Sequence, residues 1–412
     1  MKTIMILGAG PCQINGIKRM KSLGIVSVVS DYSKDSPGKK IGDISVLADT
    51  FSFEETLREA KKHKIDGIYT MGTDQPVYTA SLVAEAMGLS FFISSDVARS
   101  VTDKKVMKHK FVSLNLPTAD FKIVDIDFKD SDLEGLTFPV VIKPLDAQGQ
   151  RGIYKLNSIE EIRLHFNQVL SFSKAKEILV ESYYKNDEVT VSGWVVDQKV
   201  HILSITDRVT FESDEAIGVC VAHESPSKQM PAYGKALIKL TEDICEGFKI
   251  ENGPIYFQFL IGDEGIKINE IACRLGGAYE DVTLSKSTGL PVLDFQIKAA
   301  IEKDYGQDMF LNYVYQPKFF STQLFFCEPG IITERSKISW LKAHDFVWSA
   351  DYNYEIGDQM LATSNASSRL GHFIVTGYDE ENLHQNLNEI YDQMYVRENN
   401  KNLLIKRKRE WR

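Results

Sequence analysis

Gly253-Pro254-Ile255-Tyr256-Phe257-Gln258-Phe259-Leu260, followed closely by Lys267-Ile268-Asn269-Glu270-Ile271-Ala272-Cys273-Arg274-Leu275-Gly276-Gly277, is the part of this chain that decides its reading. Each half has the apolar, β-branched and aromatic content of a short strand. Gly262-Asp263-Glu264-Gly265 between them has the polar, glycine-containing make-up of a hairpin turn. Strand side chains alternate between faces, so Tyr256, Gln258 and Leu260 share one face, and Ile268, Glu270 and Ala272 share one on the other strand. A Gln and a Glu then stand opposite each other in an otherwise apolar hairpin. Two hard oxygen donors on adjacent strands suit a Mg²⁺ ion that carries nucleotide phosphates, because such an ion takes one or two protein oxygens plus phosphate and water. Arg274 adds positive charge at the same end. For the hairpin taken alone, a buried polar pair beside a surface Arg is an equally open reading.

The rest of the chain sets limits. Its 412 residues suggest two to three domains, and 43% hydrophobic and 25% charged residues are ordinary for a water-soluble globular protein. With 48 basic and 57 acidic residues the net charge is −9, which argues against nucleic acid as a partner but leaves room for a local phosphate site. No apolar run reaches the length of a membrane span, so no membrane partner is expected. Met1–Leu7 looks superficially like a leader, yet it runs into a glycine turn and a charged helix, and it reads better as a first strand. Cys12, Cys220, Cys245, Cys273 and Cys327 show neither metal-site nor disulfide spacing. A cytoplasmic protein is expected.

Residues 1–100 alternate strand and helix: strands over 3–8, 25–30 and 66–71, helices over 14–23, 53–62 and 77–87. That pattern predicts a parallel, doubly wound sheet. Gly8-Ala9-Gly10 with Asp31 imitates a dinucleotide fingerprint, but Gln13 stands where its third glycine belongs. A helix over 103–116 opens with Asp103-Lys104-Lys105. The strand Phe138–Pro144 carries Lys143 near its end and leads into the loop Leu145–Gly152, whose glycines let backbone N–H groups approach phosphates. An ordinary hairpin with a surface Lys is the competing reading there. Ile178–Tyr184 is a strand, a meander runs from Glu188 to Cys220, and helices are expected over 231–248 and 291–302. From about Tyr315 the chain reads as strand-rich. The run Lys406-Arg407-Lys408-Arg409 reads as a solvated terminus.

Taken in order, these segments resemble the ATP-grasp superfamily, specifically its carboxylate–amine ligase branch, with likeness to L-amino acid ligases, carbamoyl-phosphate synthetase and biotin carboxylase. The resemblance covers nearly the whole chain: Asp66–Asp74, Thr102-Asp103-Lys104, Pro139–Pro144, the glycine loop, Leu179-Val180-Glu181, Glu188, the Gln258 strand and Glu270–Arg274. It implies a mixed α/β and α+β fold. A Rossmann-like domain (1–102) is followed by an ATP-grasp domain (103–310, with a lid lobe at about 117–183) and a strand-rich C-terminal subdomain (311–412).

The resemblance also implies roles. Lys104 and Lys143 hold the ATP phosphates, and the loop from Asp146 to Gly152, with Gln148 and Gly149, folds over them. Glu181, with backbone groups of Ser182 and Tyr183, meets the adenine edge, and Glu188 accepts from the ribose. Gln258 and Glu270 bind Mg²⁺, or Mn²⁺ in its place, and Arg274 stabilises the reacting carboxylate. Many relatives carry Glu at the Gln258 position and Asn at the Ala272 position. An amide oxygen still serves as a hard ligand, but Ala272 removes one donor. The partners implied are a small-molecule carboxylate and an amine, with a homodimer as one possible assembly. The reaction implied is ADP-forming ligation through an acyl phosphate. The alternatives are a bicarbonate- or carbamate-activating relative and a nicotinamide-dependent oxidoreductase built on Gly8, Gly10 and Asp31. His223, Asp207 and Arg208 fall in the variable region, either facing an acceptor or solvated.

Overall fold

A computed structural model describes residues 1–211, 217–363 and 365–405. The basic run Lys406–Arg409 lies outside the described residues. The chain folds as two units that each draw on three segments. The first comprises Met1–Ala119, Thr190–Ser204 and Pro231–Gln316; the second comprises Asp120–Val189, Ile205–Met230 and Pro317–Arg412.

The first unit opens with a four-stranded sheet in the order Ile44–Leu47, Val26–Asp31, Thr3–Leu7, Gly67–Thr70, every pair parallel. This is the sheet expected from the alternating pattern, with one addition. Ile44–Leu47 is too short and too exposed at alternate positions to announce itself as a strand. Helices Ile14–Ser22, Phe53–Lys62 and Gln75–Met87 complete the layer. The glycine loop after Thr3–Leu7 is not an open phosphate cradle. A Cβ on Gly8 would stand 3.1 Å from the Gln13 side chain, and one on Gly10 would stand 3.3 Å from its Oε1. Gln13 Nε2 in turn donates to the Met71 carbonyl, and Asp31 accepts from the Ala9 N–H at 2.8 Å. The groups a dinucleotide would use are spent within the fold.

The same unit contains the hairpin Gly253–Gly262 and Gly265–Ala272, together with residues 190–204. Phe257 and Phe259 are fully buried on one face, and each such side chain contributes about 2 kcal/mol of burial to holding the hairpin down. The helix Met230–Phe248 buries Gly234, Leu237, Thr241, Ile244, Cys245 and Phe248, a single stripe at helical spacing. Trp194, Phe295, Tyr305 and Phe310 form an aromatic cluster in this unit's core, with the Trp194 indole donating to Tyr305 Oη at 3.0 Å.

In the second unit a four-stranded antiparallel sheet runs in the order Phe121–Asp125, Glu177–Ser182, Val140–Pro144, Tyr154–Leu156. It packs against the helix Ile159–Leu170 through Val140, Ile142, Ile162, Phe166, Val169 and Val180. A second set of strands follows the order Lys199–Thr210, Cys220–Ser225, Phe319–Phe325, Gly371–Gly377, Val347–Tyr352. The C-terminal part is strand-rich, as expected, and also holds a 14-residue helix, Glu380–Gln393. Asp379 caps it by accepting from the Asn382 N–H at 2.8 Å, and Leu383, Leu387, Ile390 and Tyr391 face the core. Among the described residues no helix is long and apolar enough to cross a membrane.

Candidate active site

Gln258 and Glu270 are direct cross-strand partners, as are Tyr256 and Ala272. Beyond Gln258 the register shifts: Phe259 pairs with Ile268, so Asn269 is an extra residue in its strand. Such a bulge re-aims the inserted side chain. Asn269 Nδ2 reaches to 3.4 Å from Gln258 Oε1. The hairpin thereby gathers one carboxylate and two amides. That is a hard-oxygen set of the kind Mg²⁺ accepts when phosphates complete its shell. Among the described residues no group of three or more His, Cys, Asp and Glu side chains could hold a metal unaided.

Lys104 completes this end. Asp103 caps its helix by accepting from the Lys105 and Val106 N–H groups at 2.9 and 3.1 Å. Lys104 is therefore fixed as the first helical residue of Lys104–Ser113. Its Nζ lies 3.0 Å from Glu270 Oε1.

Arg274 is buried in the first unit. Its Nε and Nη2 both stand 2.7 Å from Asp74 Oδ1, Nη1 donates to the Leu275 carbonyl at 3.4 Å, and the guanidinium lies 4.3 Å from the Tyr256 ring centroid. Burial opposes its charge, but Asp74, Tyr256 and Glu280 hold its pKa above the ordinary value. The glycines that follow permit close approach. A Cβ on Gly277 would stand 2.8 Å from the Gly72 carbonyl, and one on Gly276 would collide with the Glu280 carboxylate. Glu280 accepts from the Ala278 N–H at 2.7 Å, and Asp281 accepts from Asn15 Nδ2 at 2.8 Å. Complete burial, reinforced by Glu280, pushes the Asp281 carboxyl up to about 6.

The second unit carries the remaining candidates. Lys143 Nζ stands 2.6 Å from Glu181 Oε2. The Ser182 N–H donates to Asp120 O and the Tyr183 N–H to Pro139 O, both at 2.9 Å, so these two donors serve the lobe itself. Tyr183 presents its ring to Lys155 Nζ at 4.4 Å. Glu188 is ion-paired with Arg208, which also donates to the Gly218 carbonyl at 2.8 Å. His223 Nδ1 lies 3.1 Å from Thr206 Oγ1. In the loop, Gly149, Gln150 and Gly152 all have positive φ. Asp146 anchors the loop's start on Ser173 Oγ and the Lys174 N–H, and a Cβ on Gly152 would meet the Phe172 ring at 2.7 Å. Gln148 accepts from Arg151 Nε through its carbonyl at 3.2 Å.

The sequence reading did not assign Asp74, Asn269 or Asp281. Asp74 lay within a quoted motif but had no visible partner. Asn269 needed the bulge to be seen.

Residues 136–281 match the ATP-grasp domain family. Over 320 residues the chain is 21% identical to the carbamoyl phosphate synthase large chain of Thermoanaerobacter sp. (strain X514), a stretch that takes in 73% of this chain and 29% of that protein. The chain thus spans under a third of that relative's length. The L-amino acid ligase of Bacillus licheniformis has a similar fold, with a TM-score of 0.80 at 15% identity over 97% of this chain and 99% of that one. So has the biotin carboxylase domain of Hydrogenobacter thermophilus 2-oxoglutarate carboxylase, solved with MgADP, ADP and bicarbonate. Its TM-score is 0.76 at 15% identity, over 98% of this chain and 91% of that one.

Proposed function

We propose that this chain is an ATP- and Mg²⁺-dependent ligase that activates a carboxylate as an acyl phosphate and joins it to an amine, releasing ADP and phosphate. The observation that carries the reading is the opposed Gln258 and Glu270 pair, with Lys104 Nζ 3.0 Å from the Glu270 carboxylate. The chemistry calls for such a set. A carboxylate resists amines because its leaving group would be oxide. When a carboxylate oxygen attacks the γ-phosphorus of ATP, ADP departs and the acyl carbon gains phosphate as leaving group. The amine then adds to that carbon, phosphate leaves, and the nitrogen loses a proton.

Bound Mg²⁺ supplies neutralising charge to the phosphoryl oxygens. Gln258 and Glu270 would hold it, with the Asn269 amide beside them. Lys104 and Lys143 bind phosphate oxygens, Glu181 faces the adenine, Glu188 takes the ribose hydroxyls, and the loop 146–152 excludes water that would hydrolyse the acyl phosphate. Arg274, just past the end of the hairpin strand, offers a strong hydrogen-bond donor for charge on the acyl oxygen. The domain division 1–102, 103–310 and 311–412 and a homodimeric assembly belong to the same reading.

The test is ADP release from pools of carboxylates and amines, with bicarbonate as a separate arm. Release that needs both a carboxylate and an amine supports the ligase. Release with bicarbonate alone favours a carboxylating relative, a reading supported by the likeness to carbamoyl phosphate synthase and biotin carboxylase. Glu270→Ala is expected to lose ADP release at least about a hundredfold, the scale for one strong transition-state contact. Near-normal release by that variant in Mg²⁺ would remove Glu270 from the metal site.

A further inference from the structure

Both lysines assigned to phosphate are already paired with carboxylates that have assigned partners of their own. Lys143 sits on Glu181 at 2.6 Å in the second unit, and Lys104 sits on Glu270 at 3.0 Å in the first. The second case bears on the metal. The ammonium stands where a cation held by Glu270 Oε1 would contact its ligand, and both side chains are largely withdrawn from water, 14% and 25% exposed. The backbone of Lys104 is fixed by the Asp103 cap, so the movable part is its four-carbon stem. A divalent ion arriving alone meets a positive charge at its own ligand, in surroundings that screen poorly. An arriving triphosphate offers the ammonium stronger acceptors and draws it off the carboxylate.

We infer that Lys104 blocks Glu270 in the nucleotide-free protein, so that metal uptake becomes conditional on nucleotide and free divalent ions do not fill the site. This rests on the assignment of Glu270 as a metal ligand under the proposed function.

The experiment is a Mn²⁺ titration followed by electron paramagnetic resonance, without nucleotide and with a non-hydrolysable ATP analogue. It is run on the wild type, Lys104→Met, Lys104→Gln and Lys104→Arg, each checked by thermal melting. Without nucleotide the two neutral variants are expected to bind Mn²⁺ at least about tenfold more tightly than wild type, the scale for removing one nearby like charge, while the Arg variant stays weak. With the analogue the order reverses, because the neutral variants have lost a phosphate contact. Neutral variants that bind free Mn²⁺ no better than wild type, while wild type takes up Mn²⁺ with the analogue, overturn the block and leave the metal assignment standing. No Mn²⁺ uptake by wild type even with the analogue overturns the metal assignment and the block together.

Discussion

At Arg274 two uses of one side chain compete. The guanidinium is clamped by Asp74 through Nε and Nη2 and lies over the Tyr256 ring, which is how a structural ion pair is built. The same planar fork is also suited to hold a carboxylate and then follow charge onto a tetrahedral oxygen. Arg274→Lys keeps the charge and loses the fork. If the side chain serves the reaction, kcat falls roughly a hundredfold while ATP affinity hardly changes. Equal losses in both, with a lowered melting temperature, would leave Arg274 as the partner of Asp74 alone. This pair also shows where reading the sequence stops. Gln258 and Glu270 were legible because a short hairpin fixes which side chains meet. Asp74 and Arg274 are 200 residues apart, and no local periodicity links them.

Between secondary-structure elements, caps and bulges decide what can be read. The leading parallel sheet follows from alternating runs of apolar strand and capped helix. The helices Ile159–Leu170 and Glu380–Gln393 were missed although both begin with good signals, Ser158 and Asp379. Each follows directly on a strand, so the change of period falls within a few residues. The bulge at Asn269 shows in the sequence only as two consecutive polar residues, Asn269 and Glu270, between Ile268 and Ile271, and a buried strand tolerates such a pair without a bulge as well. The antiparallel lobe over 121–182 has a small core of its own and carries the glycine loop. It is expected to be the segment whose amide hydrogen exchange slows most on adding nucleotide. Protection equal to that of the Gly253–Ala272 hairpin before nucleotide, and unchanged afterwards, would rule it out as a lid.

For the molecule as a whole, buried titrating groups set how stability depends on pH. Asp281 has its carboxyl pushed up to about 6, against 3.8 when exposed, by burial above all, with the Asn15 hydrogen bond opposing the shift and the Glu280 charge adding to it. The folded state therefore holds this proton more tightly than the unfolded chain. The resulting cost is absent below about pH 4, grows as pH rises toward 6 and is complete above it. Asp281→Asn is expected to raise stability above pH 6 by up to roughly 3 kcal/mol, at 1.36 kcal/mol per pKa unit, and to add nothing near pH 4. Urea titrations at the two pH values check this, and an equal gain at both would mean the effect is not the carboxylate's charge. His372 works in the opposite sense. Burial drops its pKa to about 3, so stability falls as pH drops below 6.5, where the unfolded imidazole takes a proton that the folded one refuses.

The interleaving of the two units has a consequence for synthesis. Neither unit is a continuous stretch: the first is not complete until Gln316, and the second draws on residues from Asp120 onward through the C-terminal strands. On the ribosome, the leading 119 residues form their parallel sheet long before the aromatic cluster around Phe295 and Phe310 that shares its core has been translated. The nascent chain must therefore hold a half-covered apolar face through nearly two hundred further codons. At synthesis rates of about 5–20 residues per second that is on the order of ten to forty seconds, an interval in which a holdase chaperone has more to protect than in a protein whose modules follow one another like beads.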